Sequence, residues 1–230
     1  MQKSTLALVT GALLGAATAH ASSYTITPTI ATDYDFRGVS QTDPIDQNGK
    51  PAFQLGGTYT FTNGLYLGAW GSNVDDSIAA LGIDGDNIEI DYYGGYAWGD
   101  AANSFAYDAG LNYYTYPGLS DANTVEAYIG VTRSFYSAKL WYSPDVASSS
   151  NSGFYAEVNA NYALGKGGMS LLGHVGQVFG QAYNERVDYS LGVGYAVGNL
   201  HIALKYVNGT RDIQGRAIGS VSTTLPWSAD

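Results

Sequence analysis

Cysteine is absent from the 230 residues, which excludes disulfide staples, thiolate nucleophiles and cysteine-ligated metal centres. Charge is scarce as well: Asp, Glu, Lys and Arg make up 13% of the chain, against roughly 25% in an ordinary soluble domain. Basic residues are the scarcest part of that charge. Ten Lys and Arg against 20 Asp and Glu leave a formal net charge of -10, the wrong sign for a protein that neutralises nucleic-acid phosphates. The low charge count also argues against a disordered acidic tail. With three histidines and no Gly-x-Ser-x-Gly elbow, a hydrolase has little to build on, and no enzyme activity is expected. Ser170 with His174, and Ser190 with Asp188, could share a face, a coincidence that alternation makes frequent. After residue 21 no run reaches the roughly 18 apolar residues of a helical span, a test that cannot see transmembrane strands.

What is present is glycine, at 30 residues, and tyrosine, at 20. At the N-terminus Lys3 precedes an apolar run over residues 6–17, followed by small residues that offer cleavage after Ala19 or Ala21. This reads as a secretory signal peptide over residues 1–21, because the run is shorter than the roughly 20 residues of a transmembrane helix. Residues 22–230 then form one domain, with no linker inside it.

That domain is written in short stretches of period two. Strands are expected at 24–34, 51–62, 65–73, 86–98, 104–116, 123–132, 135–143, 153–163, 169–179, 185–197, 200–207 and 213–225, twelve in all. In the fourth, Ile88, Ile90, Tyr92, Gly94, Tyr96 and Trp98 share one face, and Glu89, Asp91, Tyr93, Gly95 and Ala97 the other. The tenth sets Val187, Tyr189, Leu191, Val193 and Tyr195 against Arg186, Asp188, Ser190, Gly192 and Gly194. Connections alternate in length. Short turns at 63–64, 99–103, 133–134, 165–168 and 198–199 interleave with longer loops at 35–50, 74–85, 117–122, 144–152, 180–184 and 208–212. Even parity, alternating loop length and an export signal together predict an all-β, up-and-down transmembrane barrel. Both termini then fall on the periplasmic side of an outer membrane.

A soluble antiparallel sandwich also alternates, but its polar faces meet water and carry more Lys and Glu than the Gly, Ser, Asn and Tyr found here. An enclosed lumen fits those faces better. Aromatics near strand ends, namely Tyr24, Tyr34, Tyr59, Tyr66, Trp70, Trp98, Tyr116, Trp141, Tyr142, Tyr162, Tyr195, Tyr206 and Trp227, are expected at the lipid headgroups.

Charges cannot face lipid cheaply, so Glu89, Asp91, Asp108, Glu126, Glu157 and Asp188 are expected on the inner face, with Lys139, Arg186, Lys205 and Arg216. His174 and His201 are further candidates. These groups either line an aqueous pathway and bias permeation, or pair with one another inside a filled barrel; for Arg186 and Asp188 internal pairing is the favoured alternative. The loop acids Asp75, Asp76, Asp84, Asp86 and Asp121 lack EF-hand spacing, and neither a metal nor a cofactor is expected.

The run Tyr34-Asp35-Phe36-Arg37-Gly38-Val39-Ser40-Gln41-Thr42, then Pro51-Ala52-Phe53-Gln54, resembles the N-terminal hallmark of the TorF family of bacterial porins. Gly64-Leu65-Tyr66-Leu67-Gly68-Ala69-Trp70-Gly71-Ser72-Asn73-Val74-Asp75 and Glu89-Ile90-Asp91-Tyr92-Tyr93-Gly94-Gly95-Tyr96 are similar to its next segments, and Trp141-Tyr142-Ser143-Pro144-Asp145 is a weaker cue. The resemblance is densest over residues 34–98. It implies an outer-membrane barrel with a transport role and carries no catalytic residues. One departure is the C-terminus, Trp227-Ser228-Ala229-Asp230, where many such barrels end on an aromatic residue.

The expected function is passage of small hydrophilic solutes or ions, the alternative a non-conducting structural or surface-binding barrel. Expected partners are outer-membrane lipid, lipopolysaccharide and the solutes themselves; nucleic acid is excluded. Arg37 is the most informative residue of the first motif. Folded inward, with Gly38 permitting the turn, it would neutralise lumen acids and constrict the path; otherwise it orders its loop through carboxylate and backbone hydrogen bonds.

Overall fold

The computed structural model describes residues 22–75 and 88–228. The expected signal segment 1–21, the loop acids Asp76, Asp84 and Asp86, the side chain of Trp227 and the last two residues lie outside the described residues.

Fifteen strands are formed among the described residues: β1 (Ser23–Ala31), β2 (Asp35–Phe36), β3 (Val39–Ser40), β4 (Ala52–Thr60), β5 (Leu65–Asn73), β6 (Ile88–Gly99), β7 (Ala106–Thr115), β8 (Thr124–Arg133), β9 (Tyr136–Ser143), β10 (Gly153–Ala163), β11 (Met169–Phe179), β12 (Arg186–Val197), β13 (Leu200–Gly209), β14 (Arg216–Thr223) and β15 (Leu225–Ser228). β1 and β4 to β14 pair antiparallel in chain order, and β14 returns to β1 to close the ring, which makes twelve wall strands. β15 continues the line of β14 beyond Thr224 and pairs with the other end of β1, from Ile26↔Leu225 to Ser23↔Ser228. Closure removes every open edge, as strands in lipid require.

All twelve expected strands are present, and the soluble sandwich is overturned by a single closed sheet. The largest shifts are at the ends of the chain. β1 stops at Ala31, three residues early, because residues 33–43 turn into the barrel; the last expected strand starts at Arg216 and breaks at Thr224. Among the described residues the five short turns cluster with the paired Ser23 and Ser228 at one end, and the longer connections leave the strands at the other.

Alternation sorts the side chains as the sequence implies. The outer wall exposes Leu67 (60%), Ile129 (57%) and Leu191 (70%), an apolar surface far beyond what a protein in water leaves uncovered. Tyr59, Tyr96, Trp98, Tyr107, Tyr136, Tyr162 and Tyr195 ring it near the short turns, and Tyr113, Tyr142 and Tyr206 near the long loops. Five of the expected girdle residues point inward instead: Tyr34, Tyr66 and Trp141 are buried, Trp70 packs edge-on against Tyr34 at 5.2 Å, and the Tyr116 hydroxyl bonds the buried Glu89. Their face is wrong because Tyr66, Trp70, Tyr116 and Trp141 share the parity of the polar set, while Tyr34 is carried inside by the turn that follows Ala31.

Glycine and tyrosine answer one another across strands. Tyr66 stands opposite Gly95 and Tyr93 opposite Gly68, and Tyr128 stands opposite Gly110. A β-carbon on any of these glycines would strike the facing ring. Lumen tyrosines therefore lie over bare backbone, filling the interior without widening it.

Candidate functional site

The site is built on the first long connection, which enters the barrel as a two-stranded hairpin. β2 and β3 pair as Asp35↔Ser40 and Phe36↔Val39, leaving Arg37 and Gly38 as the turn. Both have positive φ, 53° and 84°, the requirement of a two-residue type I′ turn. A β-carbon on Gly38 would also lie 2.6 Å from Ile213 Cδ1 and 2.7 Å from the Asp188 β-carbon.

At the tip, the Arg37 guanidinium grips Glu126 of β8 bidentately: Nη1 donates to Oε1 at 3.0 Å and Nη2 to Oε2 at 2.5 Å, with both side chains buried. Tyr114 donates to the same carboxylate at 2.9 Å, and Arg37 Nη1 reaches the Tyr183 hydroxyl at 3.3 Å. The guanidinium carbon sits 4.6 Å from the Phe36 ring centre and 4.5 Å from that of Tyr155. At the base, Arg216 of β14 donates from Nε to Asp33 at 2.5 Å, from Nη2 to Asp35 at 2.6 Å and from Nη1 to the Gly38 carbonyl at 2.9 Å. Lys205 adds a looser pair with Asp35 at 3.7 Å. Ser40 and Thr42 hydroxyls donate to Asp33 at 2.5 and 2.9 Å, so the carboxylate of Asp33 organises the turn back toward the wall.

Counting around the ring from β1, β8 is the sixth wall strand and β14 the twelfth, so the two anchors stand on opposite walls. The hairpin is a bar across the lumen, held at one end by an arginine of the wall and at the other by an arginine of its own. Arg37 folds inward and ties its loop to the wall through the Glu126 carboxylate.

One side of the bar carries a continuous polar chain over β9 to β12. Trp141 donates to Glu157 at 2.9 Å, Asn159 donates to Glu157 at 2.9 Å, and the His174 ring nitrogens lie 2.7 Å from Asn159 Oδ1 and 2.7 Å from Asp188 Oδ1. Tyr155 donates to Asp188 at 3.1 Å. Asp188 thus takes His174 as its partner rather than Arg186, whose Nε is buried without a hydrogen bond; the favoured Arg186–Asp188 pairing is corrected on that point. The buried Ser170 hydroxyl has no hydrogen-bond partner and both His174 nitrogens are engaged elsewhere, so no nucleophile and base meet there. Toward the short turns, Asp108 accepts from Tyr66 at 2.6 Å and pairs with Lys139 at 3.4 Å, while Tyr66 and Tyr128 share a hydroxyl contact. Lys139 lies 4.3 Å from the centre of the Tyr128 ring.

The expected lumen residues on wall strands all lie on the inner parity, and with Arg37 the fold gathers all but Glu89, Asp91 and Arg186 into three groups. Arg37, Glu126, Lys205 and Arg216 hold the hairpin; Glu157, His174 and Asp188 join the chain beside it; Asp108 and Lys139 form a separate pair nearer the short turns. Glu89 and Asp91 on β6 stand apart, without a basic partner. The sequence reading missed Asp33, Asp35, Tyr114, Tyr155 and Tyr183 as site members. For the first two the signal was available: two acids flanking an Arg-Gly turn, with a second arginine on a closing strand. Among loop acids Asp75 pairs with Lys50 at 2.7 Å. Among the described residues no group of three or more His, Asp or Glu side chains is placed to hold a metal, and no helix is long and apolar enough to cross a membrane.

The family model Gcw_chp, described as a bacterial protein of unknown function, matches residues 15–224. No curated protein matches the sequence. Among solved structures the chain is similar to the KdgM porin, at 11% identity over 90% of this chain and 99% of that one, with a TM-score of 0.53. It is similar to a KdgM porin in complex with disordered oligogalacturonate at 10% identity, with the same coverages and a TM-score of 0.51. The COG4313 outer membrane channel from Pseudomonas putida F1 aligns at 11% identity over 96% of this chain and 100% of that one, with a TM-score of 0.49. At these identities the likeness to the KdgM structures is one of fold.

Proposed function

Starting from the chain's membership of the Gcw_chp family, we propose that it is an outer-membrane channel for small hydrophilic solutes or ions, with the hairpin as its constriction. The observation that carries this reading is the sorting of charge: an apolar outer wall encloses an inner face that holds nearly every wall-strand charge, crossed by one anchored bar. A barrel that served only as a membrane anchor would need no such interior. The TorF-like run over residues 34–42 coincides with the bar, which fits a transport family. In this reading the long loops face outward, the termini lie in the periplasm, and lipid and lipopolysaccharide surround the wall.

Eight acids point into the lumen (Asp33, Asp35, Glu89, Asp91, Asp108, Glu126, Glu157, Asp188) against five bases (Arg37, Lys139, Arg186, Lys205, Arg216). The surplus favours cations and neutral solutes. An acidic oligosaccharide such as oligogalacturonate, present in one KdgM complex, would meet the wrong sign here. The test is planar-bilayer conductance of refolded protein under a salt gradient, with a graded series of neutral solutes. Salt-dependent steps with a cation-selective reversal potential support the channel. A folded barrel without conductance would replace it with the structural barrel, a reading favoured by how completely Arg37 and Arg216 fasten the bar.

A further inference from the structure

Among the described residues, every inward-pointing aromatic side chain of the wall stands on six consecutive strands, from Tyr66 on β5 and Tyr93 on β6 to Trp141 on β9 and Tyr155 on β10. The other six, β11 to β14 followed by β1 and β4, turn no ring inward. The lumen therefore has a filled half and a lean half. At the long-loop end the hairpin occupies the lean half: Arg216 of β14 and Lys205 of β13 hold Asp35, and Gly38 lies against Asp188 of β12. No described segment continues the hairpin toward the short turns.

Beneath the hairpin the lean half is also uncharged. No Asp, Glu, Lys or Arg occurs on β1 or β4, and on β11 to β14 none points inward on the short-turn side of His174, Asp188, Lys205 and Arg216. Small and hydroxyl-bearing residues dominate that surface, with Gly192, Ala203, Thr25, Ser190 and Ser220 all partly exposed. Its hydrogen-bonding capacity is not met by the wall. Thr29 and Ser170, each 4% exposed, point inward with hydroxyls that have no partner, and Nδ1 of His201 has none. Ser222 stands in register between Thr29 and His201, so polar groups run unbroken across β1, β14 and β13. On the filled half, by contrast, Asp108 is satisfied by Tyr66 and Lys139, and Glu157 by Trp141. Polar groups left unpaired in a folded wall cost free energy, which a solute able to pair with them restores.

We propose that beneath the hairpin the solute route runs along the lean half and selects neutral polyhydroxylated solutes, sugars and polyols; the inference rests on the channel reading and names its substrate class. Each Ser and Thr hydroxyl both donates and accepts, matching a solute whose own hydroxyls do the same. Such a solute exchanges water for wall hydroxyls without losing hydrogen bonds. An ion on the same stretch would give up hydration and meet no opposite charge in return.

The chain has no native cysteine, so three conservative reporters suffice: Ser190→Cys and Ser220→Cys on the lean half, and Ser137→Cys, at a position 8% exposed on β9 of the filled half. Each refolded barrel is treated in detergent with a cationic methanethiosulfonate reagent. Ser190→Cys and Ser220→Cys are expected to react several-fold faster than Ser137→Cys, although Ser137 lies nearest its short turn. Sucrose is expected to slow the two fast reactions, and glucuronate at the same concentration to leave them unchanged. In planar bilayers the attached group should then remove most of the conductance of Ser190→Cys and little of that of Ser137→Cys. Equal reaction rates at all three positions, or modification at 190 and 220 that leaves conductance intact, overturns the lean-half route. Sucrose protection that is absent, or matched by glucuronate, overturns the selectivity for neutral solutes. A parent barrel that never conducts defeats the channel reading instead, and the thiol rates and sucrose protection, read in detergent, still decide whether the lean half is open and takes sugars.

Discussion

Arg37 and Glu126, 89 residues apart in the chain, meet in a two-point grip in which both side chains are nearly inaccessible. Arg37 arrives on a turn of two left-handed residues, and Glu126 waits on the wall strand opposite the one from which Arg216 holds the base. Neither partner is stable in that setting without the other, because a buried charge deprived of its counter-ion loses solvation and gains nothing.

Arg37→Ala is therefore expected to destabilise the barrel by about 3–5 kcal/mol, most of it from stranding Glu126. Arg37→Met combined with Glu126→Leu should recover the greater part. Denaturant unfolding of the parent, Arg37→Met, Glu126→Leu and the double variant measures the coupling, and losses that simply add in the double variant would contradict the pairing.

Releasing the tip should widen the path. Under the channel reading, single-channel conductance rises in Arg37→Ala and the reversal potential moves toward stronger cation preference, since one positive charge leaves and Glu126 is freed. Unchanged conductance and selectivity would remove the hairpin from the permeation pathway.

The absence of native cysteine makes the hairpin easy to report on. Val39→Cys in the parent should react slowly with an aqueous thiol reagent and faster once Arg216→Ala has removed the base anchor. Equal rates in both backgrounds would show that the Arg216 contacts do not hold the hairpin in place.

Gly38→Ala is expected to cost about 1–3 kcal/mol, because the position has φ of 84° and the added carbon meets Ile213 and Asp188. The unfolding midpoint reads this directly. Gly95→Ala should cost a similar amount by pushing the added carbon against the Tyr66 hydroxyl and the Ala109 carbonyl. Tyr66→Phe made alongside it should relieve part of that second loss and none of the first.

The twelve wall strands were legible because each is a local pattern: alternation states which residues face lipid, and Gly- and Asn-rich turns state where the chain reverses. Inner-face charges such as Glu89, Lys139 and Asp188 could be named for the same reason, since parity is a property of the strand alone. Parity also holds the lesson of Tyr66 and Trp141. Aromatic identity near a strand end suggested a lipid girdle, yet their alternation already put them inside, and where the two signals disagreed the alternation was the physical constraint. Tyr155 and Tyr183 escaped because nothing local distinguishes them from loop or packing residues.

Local chemistry, read along the chain, determined that this protein is a closed antiparallel barrel with an apolar exterior and a charged interior, and that Arg37-Gly38 forms a turn. The tertiary structure alone decided that Arg37 reaches from this turn to Glu126 on the wall opposite Arg216 and that Asp188 takes His174 rather than Arg186. It alone also decided that Glu89 and Asp91 are left without a base. The reason is that parity fixes only which side of the sheet a residue occupies. Partnership depends on ring position and depth, and these exist only once β14 has closed on β1.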